Sequence, residues 1–386
     1  MAEGLQLEAA VLGSFSDVEA AAWDRIVAGE PPFLEHAFLW GLEDTGCVGA
    51  DTGWLPRPVV VRSGGELLGI APAWLKAHSM GEFVYDWAWA DAAQRAGVRY
   101  YPKLIVAAPF SPVPGSRLLV DPALPPALAD AVRTMLLDAL ETVARESGAA
   151  GLHLLFCRPE EVRLCTERGY AHRVGMQFHW QNAGYGDFED FLARFRSKQR
   201  NQIRRERRQV AEQGVVVEAL TGAEIPDALC GPAYGWYCAT IERFFYGRQY
   251  LNEAFFQRLW EQMRPRLQLV VARHQGEPIA GSVNLQKGDE RYGRYWGASE
   301  RYSCVHFEVC TYTAVEDCIR QGIQTFQAGA GGGEHKYGRG FAPALTHSVH
   351  RLHHPGFQEA VEEFCTREAT LVRAEADRLT EELFVR

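Results

Sequence analysis

The sequence predicts a mixed α/β protein with mixed sheets, built from two related halves, a basic helix linking them and a further C-terminal helix. Three observations point there. The chain has 386 residues, 47% of them hydrophobic, which is enough to bury two cores. Residues 59–76, VVVRSGGELLGIAPAWLK, align without a gap on 270–287, VVARHQGEPIAGSVNLQK. Six of eighteen positions agree: Val59/Val270, Val60/Val271, Arg62/Arg273, Gly65/Gly276, Glu66/Glu277 and Lys76/Lys287. Between the two copies, RFRSKQRNQIRRERR at 194–208 holds eight Arg or Lys and one Glu, a net +7 in a chain of net charge −9, so the remainder carries −16.

Each copy of the repeat reads as apolar strand, Gly-Glu turn and apolar strand, the pattern of a hairpin. Upstream, strand-like runs at 5–12 and 215–220 lead into helical stretches, at 17–28 and 36–44 in the first half and at 227–244 and 253–263 in the second. Downstream each half continues with a third, aromatic strand, at 83–87 and 292–296, and then a helix. In the first half that helix covers 125–146, because Leu128, Val132, Leu136, Leu140 and Val143 recur on one face after a Pro pair. GLHLLFC at 151–157 reads as a buried strand, and PEEVRLCTERGY as a helix that ends in a glycine turn.

The order of the first half is thus β-α-α-β-β-β-α-β-α-β. The second half reaches its equivalent turn, GRGF at 338–341, forty residues sooner, and TFQAGAGGGEHKYGRGF replaces most of a helix with a glycine-rich loop. In the basic segment Phe188, Leu192, Phe195 and Ile203 fall near one face of a helix, so one side can pack while the other stays cationic. A mixed-charge helix closes the chain at about 355–384. These boundaries predict a first domain at 1–182, a linking helix at 183–213, a second domain at 214–354 and a C-terminal helix at 355–386.

Composition excludes several classes. Nine cysteines, an odd number without a C-x-x-C, fit neither a disulfide framework nor a zinc knuckle and read as small core residues. No metal site is expected. The start has no basic n-region followed by an apolar run, and no stretch approaches a membrane span, which predicts a cytoplasmic protein without membrane insertion. Overall negative charge argues against indiscriminate nucleic-acid binding but leaves room for a local basic site.

The element order, with the helix-to-strand turn ERGYAHR at 167–173, resembles the GNAT acyltransferase fold. Five further segments occur in order: LKAHSMGEFVYDWAWADA, YYPKLIVAAPFSPVPGSRLLV, GMQFHWQNAGYGDFEDFLARFRSKQRNQIRRERRQV, RYWGASERYSCVHFEVC and FQAGAGGGEHKYGRGFAPALTHSVH. Together they resemble the FemAB-like proteins of the GNAT superfamily. The resemblance covers nearly the whole chain. It implies tandem GNAT-like domains and transfer of an amino acid from aminoacyl-tRNA, as co-substrate, to an amine. The family usually reads FEAGAQGEHK where this chain has FQAGAGGGEHK, one residue longer and with Gln327 in place of an acid.

Acyl transfer needs a site for the acyl carrier, a base or shuttle for the nucleophile's proton, and donors for the developing oxyanion. His306 and Glu308, near a helix start, and Glu334 and His335, on the glycine loop, are the candidates for proton handling; each also reads as an ordinary structural residue. Lys336 and Arg339 flank them as substrate-binding candidates. Tyr85, Asp86, Trp87, Tyr101 and Lys103 form an aromatic and charged set in the first half, readable as core or as an acceptor pocket. Lys198, Arg200, Arg204, Arg205, Arg207 and Arg208 read either as a solvated helix or as a phosphate site for tRNA. RYWGAS at 294–299 falls one position short of a CoA pyrophosphate loop, which keeps acyl-CoA open as the carrier, with no tightly bound cofactor in either case. A non-catalytic anion-binding protein is the third reading.

Overall fold

The structure, a computed structural model, describes residues 6–243, 248–299, 302–331 and 333–384. It divides into two compact units, one of residues 1–175 with 346–373, the other of 176–345 with 374–386. In chain order the elements are β1 (Glu8–Val11), α1 (Ala20–Ile26), α2 (His36–Asp44), β2 (Trp54–Pro56), β3 (Val59–Ser63), β4 (Glu66–Ala71), β5 (Ala73–Lys76), α3 (Trp87–Arg95), β6 (Lys103–Val106), β7 (Leu119–Val120), α4 (Pro126–Glu146), β8 (Gly151–Leu155), α5 (Pro159–Thr166) and β9 (Ala171–Gln181). They continue with α6 (Phe188–Ala193), α7 (Ser197–Glu212), β10 (Val215–Thr221), α8 (Cys230–Glu242), α9 (Glu253–Gln262), β11 (Leu267–His274), β12 (Glu277–Lys287), β13 (Glu290–Ala298), α10 (Val305–Phe307), a π-helical turn (Glu308–Tyr312), α11 (Thr313–Gln321), β14 (Thr325–Gln327), α12 (Gly333–Tyr337), β15 (Ala342–Leu352) and α13 (Pro355–Glu382). Two residues of expected elements, Leu5 and Phe244, lie outside the described residues. Among the described residues no helix is long and apolar enough to cross a membrane.

In the first unit β1, β3, β4 and β7 form one sheet, and β2, β5, β6, β8 and β15 lie side by side in another. The stripe expected on α4 is what it buries: Val132, Leu136, Leu137 and Leu140 are fully covered, in one cluster with Val59, Val61, Leu104 and Leu152. Each such leucine contributes about 2 kcal/mol on leaving water. The second unit orders its strands β10-β11-β12-β13-β14-β9. Its core joins Trp180, Phe188, Phe191, Phe195, Ile203 and Phe341.

The repeat is visible in the backbone. In β3–β4 the register shifts between Val61 and Arg62; in β11–β12 it shifts between Ala272 and Arg273, the aligned positions. The turns match as well, with φ of 55° and 85° at Gly64 and Gly65 and 52° and 88° at Gln275 and Gly276. Arg62 donates to the Gly65 carbonyl at 3.2 Å, as Arg273 does to that of Gly276 at 3.2 Å.

After the hairpin the halves part. β12 runs unbroken to Lys287 and is followed by β13, whereas β4 stops at Ala71. Pro72 has no N–H for the ladder, and the chain crosses there into β5 of the other sheet. The aromatic strand expected at 83–87 does not form: 79–86 is irregular and Trp87 opens α3. This stretch carries Glu82 and Asp86, which fold inward onto buried Lys103 instead of pairing as a strand. The expected single basic helix is also two helices. It breaks at 194–196, which lets Phe195 turn inward onto Phe191 and Phe384, ring centroids 5.1 and 5.4 Å away.

α8 lies directly on β13. A Cβ at Gly297 would stand 1.8 Å from the Trp236 carbonyl oxygen, so this glycine is required for backbone contact. Gly297→Ala is expected to lower unfolding free energy by about 3 kcal/mol, read by urea denaturation. Gly231→Ala on α8, where a Cβ meets nothing within 4 Å, should leave it unchanged or slightly higher.

Candidate active site

β13 and β14 run parallel and pair only from Glu290↔Thr325 to Tyr292↔Gln327. On its other side β13 pairs with β12 through a register shift between Val283 and Asn284, which leaves Arg294 as the extra residue. Such a bulge re-aims the strand. Where β13 and β14 separate, a cavity of about 300 Å³ opens in the second unit. Trp296, Phe307, Phe326 and Ala328 give it apolar walls, and Asn284, Thr311 and Cys310 add polar groups.

Three of the candidates meet here: His306, His335 and Lys336 all line the cavity. His306 stands at its mouth, its ring edge-on to Trp296 with centroids 4.9 Å apart. Enclosure by the surrounding protein, with Arg339, His335 and Lys336 adding to it, lowers its pKa from the ordinary value to about 4, so the imidazole is neutral at physiological pH. Lys336 donates to the Gly329 carbonyl across the glycine loop. Burial, and then Arg294, brings its ammonium down to about 8, against an opposing effect from Cys310.

Glu308 and Arg339 have different surroundings. Glu308 is buried on the π turn, takes Arg207 of α7 at 3.1 Å, and accepts from Thr313 at 2.9 Å. Burial raises its carboxyl in spite of Arg207. Arg339 is buried and donates to Tyr312 Oη at 2.8 Å, to Glu206 Oε2 at 2.9 Å and to the His335 carbonyl at 3.0 Å, with its guanidinium 3.4 Å above the Phe307 ring. Burial would raise the Glu206 carboxyl; donors from Tyr312, Gln202 and Arg339 outweigh it and hold the group below its ordinary value. Glu334 is exposed on α12. Gln327 faces the opposite way from Phe326 and Ala328, toward Glu290 at 3.4 Å.

α7 sorts the basic block. Ile203, Glu206 and Val210 are buried. Arg204 pairs with Glu189, and Arg207 with Glu308 and with Glu316 at 2.7 Å. Arg200, half-buried, reaches the Phe195 carbonyl at 3.5 Å. Lys198, Arg205 and Arg208 remain exposed without an ion pair among the described residues, on the face opposite the buried one. They span about 15 Å of helix.

The first-unit candidates split between core and surface. Lys103 is buried and binds Glu82 at 2.8 Å, Ser79 at 3.0 Å and Asp86, which also accepts from Tyr100 at 2.6 Å. Burial alone would raise Asp86; Lys103, Ser79 and Tyr100 outweigh it and lower the group. Glu82 has weaker compensation, and burial pushes it up to about 7. Tyr101 joins through Ser79 at 2.7 Å. Tyr85 and Trp87 instead present exposed rings.

Asn284, Trp296 and Cys310 were not singled out as site residues in the sequence. The signal available for Trp296 was its strand, whose glycine had drawn the pyrophosphate reading; Asn284 and Cys310 sat in ordinary apolar runs. The buried pair beside the site yields a direct test. Arg339→Met leaves Glu206 without its cation, and unfolding free energy should fall by about 3 kcal/mol, read by urea denaturation. The exposed Arg208→Ala should be within about 0.5 kcal/mol of wild type.

Over residues 14–386 the chain matches the FemAB-like family, described as peptidoglycan biosynthesis/recognition. Nothing among curated proteins matches it. Of solved structures, FemX is similar with a TM-score of 0.54 and 12% identity, over 89% of this chain and 98% of that one. A conserved protein of unknown function from Bacteroides thetaiotaomicron gives 0.52 and 10%, over 90% and 98%. L-PGS from Bacillus licheniformis gives 0.50 and 11%, over 84% and 94%. At such identities the likeness is one of fold. Family membership is carried by the match along nearly the whole chain: it belongs to the FemAB-like family.

Proposed function

We propose that the protein moves an aminoacyl group from aminoacyl-tRNA to an amine or hydroxyl of a small-molecule or peptide acceptor, with the chemistry in the cavity of the second unit. The observation that carries this reading is that an imidazole, His306, and a lysine, Lys336, line the same cavity where β13 and β14 diverge. The acceptor nitrogen attacks the ester carbonyl carbon, and a C–N bond forms. Lys336 holds the developing oxyanion and His306 takes the proton that the nitrogen sheds. The tetrahedral intermediate then collapses with cleavage of the C–O bond, and the ribose hydroxyl leaves with a proton returned from the imidazolium.

The exposed strip of Lys198, Arg205 and Arg208 supports an RNA carrier. An acyl-CoA carrier finds less support in the turn after β13. There the Ser299 N–H already donates to the Ile279 carbonyl at 2.8 Å and that of Ser303 to Gln213 at 2.9 Å. Gly297, which suggested a phosphate loop, is occupied by the approach of Trp236. The FemAB-like description, peptidoglycan biosynthesis/recognition, is in keeping with a peptide amine as acceptor.

The deciding experiment incubates the protein with a pool of tRNA charged with labelled amino acids and with candidate acceptors. Label should pass to an acceptor, and RNase should abolish transfer; RNase-resistant transfer supported by acyl-CoA would overturn the carrier. With about four phosphates contacted, affinity for tRNA should fall by about two decades between about 50 and 200 mM salt. A Lys198/Arg205/Arg208 triple alanine chain should flatten that slope. His306→Ala should lower kcat by about 100-fold. Below about pH 8 Lys336 is protonated, so kcat should decline above that pH; Lys336→Arg, whose charge does not titrate, should lose the decline. Full turnover by His306→Ala would overturn that residue as the base, and a wild-type chain that binds tRNA but passes label to no acceptor would leave a binding protein as the surviving reading.

A further inference from the structure

The first unit contains a larger cavity, of about 970 Å³, to which the transfer chemistry assigns no role. Arginines reach it from four separate places: Arg99 from the loop after α3, Arg145 from the last turn of α4, Arg168 from the end of α5 and Arg351 from β15. Two carboxylates answer them. Glu141 takes Arg145 at 3.1 Å and Arg351 at 3.3 Å, and Asp138 takes Arg168 at 2.5 Å. Four cations against two anions leave +2 at one concavity of a chain whose net charge is −9.

Helix C-termini attract cations on their own, which accounts for Arg145 and Arg168. Arg351, on a strand, is held in place by donating to the Arg168 carbonyl at 2.9 Å. Arg99 is exposed and forms no ion pair with a described residue. His354 lines the same cavity, and its Nδ1 accepts from the Phe357 N–H at 3.2 Å. The neutral ring therefore carries its proton on Nε2, as a donor. His354 directly precedes the first turn of α13, a helix of 28 residues whose dipole favours an anion at that end.

We infer that this cavity binds a small phosphate-bearing molecule, with Arg99, Arg351 and His354 as its donors. The shape selects the class. On α7 the free cations form a strip along one helix, suited to a polymer backbone; here they converge on one concavity from separate elements. Its volume is that of a site for a nucleotide or sugar phosphate. Guanidinium forks meet phosphate oxygens in pairs, which a lysine cluster would not do. The inference does not depend on the transfer reaction.

Calorimetric titration of the full chain tests it, with pyrophosphate and inorganic phosphate as probes and chloride at matched ionic strength as the reference. Pyrophosphate should bind with a dissociation constant below about 1 mM. Arg99→Ala, and separately His354→Ala, should weaken it at least about 10-fold, with thermal unfolding of the ligand-free Arg99→Ala chain unchanged. The Lys198/Arg205/Arg208 triple alanine chain should bind as wild type does. Loss of binding in that triple variant, or no heat with wild type beyond the chloride reference, would overturn the site. A short RNA that binds through Arg99 while pyrophosphate does not would overturn the small ligand.

Discussion

The buried pair of Glu206 and Arg339 is the constraint on which the candidate site depends. A guanidinium removed from water is tolerated only if its donors are satisfied. Arg339 meets that condition through Glu206 of α7, Tyr312 of the π turn and the His335 carbonyl of α12, and it adds a stacking contact on Phe307. Three elements are therefore fixed by one side chain. α12 has no fully buried residue, and its apolar contact with the core is made by Tyr337, whose ring meets Phe178. The position of Lys336 follows from the polar anchor at Arg339 and from the bond to Gly329. Gly340, next in the chain, has a φ of 85° and stands against Phe191 and Phe195, which sets the turn that aims Arg339 inward.

The two halves show how one hairpin leads to different ends. Bulge, turn and arginine hydrogen bond coincide in both, so the local instruction is the same. What differs is the residue at the strand's midpoint. Val283 continues β12 and allows β13 to follow, so that the separation from β14 opens a cavity. Its counterpart Pro72 ends β4, and the next polar residues form the ion-pair network around Lys103 instead. The first unit keeps its charges buried and paired where the second keeps an opening. Its own concavity lies elsewhere, at the ends of α3, α4 and α5.

The fold was readable where periodicity and repeat agreed. The stripe on α4, both hairpins, β10 and the C-terminal helix all follow from apolar spacing and turn residues. The strand at 83–87 was not readable, because its aromatic content matches strand preference while Glu82 and Asp86 find their partner only through distant Lys103. The break at Phe195 has the same origin: its reward lies in Phe191 and Phe384, and the latter is almost two hundred residues away. At the site, the cluster of His306, His335 and Lys336 was visible as chemistry. Which way Glu308 turns was not, since that is decided by Arg207 and the π turn. Spacing in sequence identifies residues able to do chemistry; the sheet's divergence selects those that share a cavity.

Charge counted along the chain also differs from charge available in space. Of the +7 at 194–208, Arg204 and Arg207 are matched by carboxylates of α6, the π turn and α11, and Glu206 is matched by Arg339. On α7 itself the cations left exposed without an ion pair among the described residues, Lys198, Arg205 and Arg208, form a strip of three. Beyond about 8 Å at physiological salt its field is screened, while the remaining surface is net negative. An RNA drifting past is therefore not drawn in from a distance, and attraction begins only when phosphates lie against α7 itself. On the proposed reading this makes contact conditional on fit: a tRNA gains from the strip once its acyl end is also accommodated where β13 leaves β14, and a bare duplex gains little. On that reading the short strip on an acidic protein selects among RNAs more by geometry than by affinity, which a uniformly basic surface could not do.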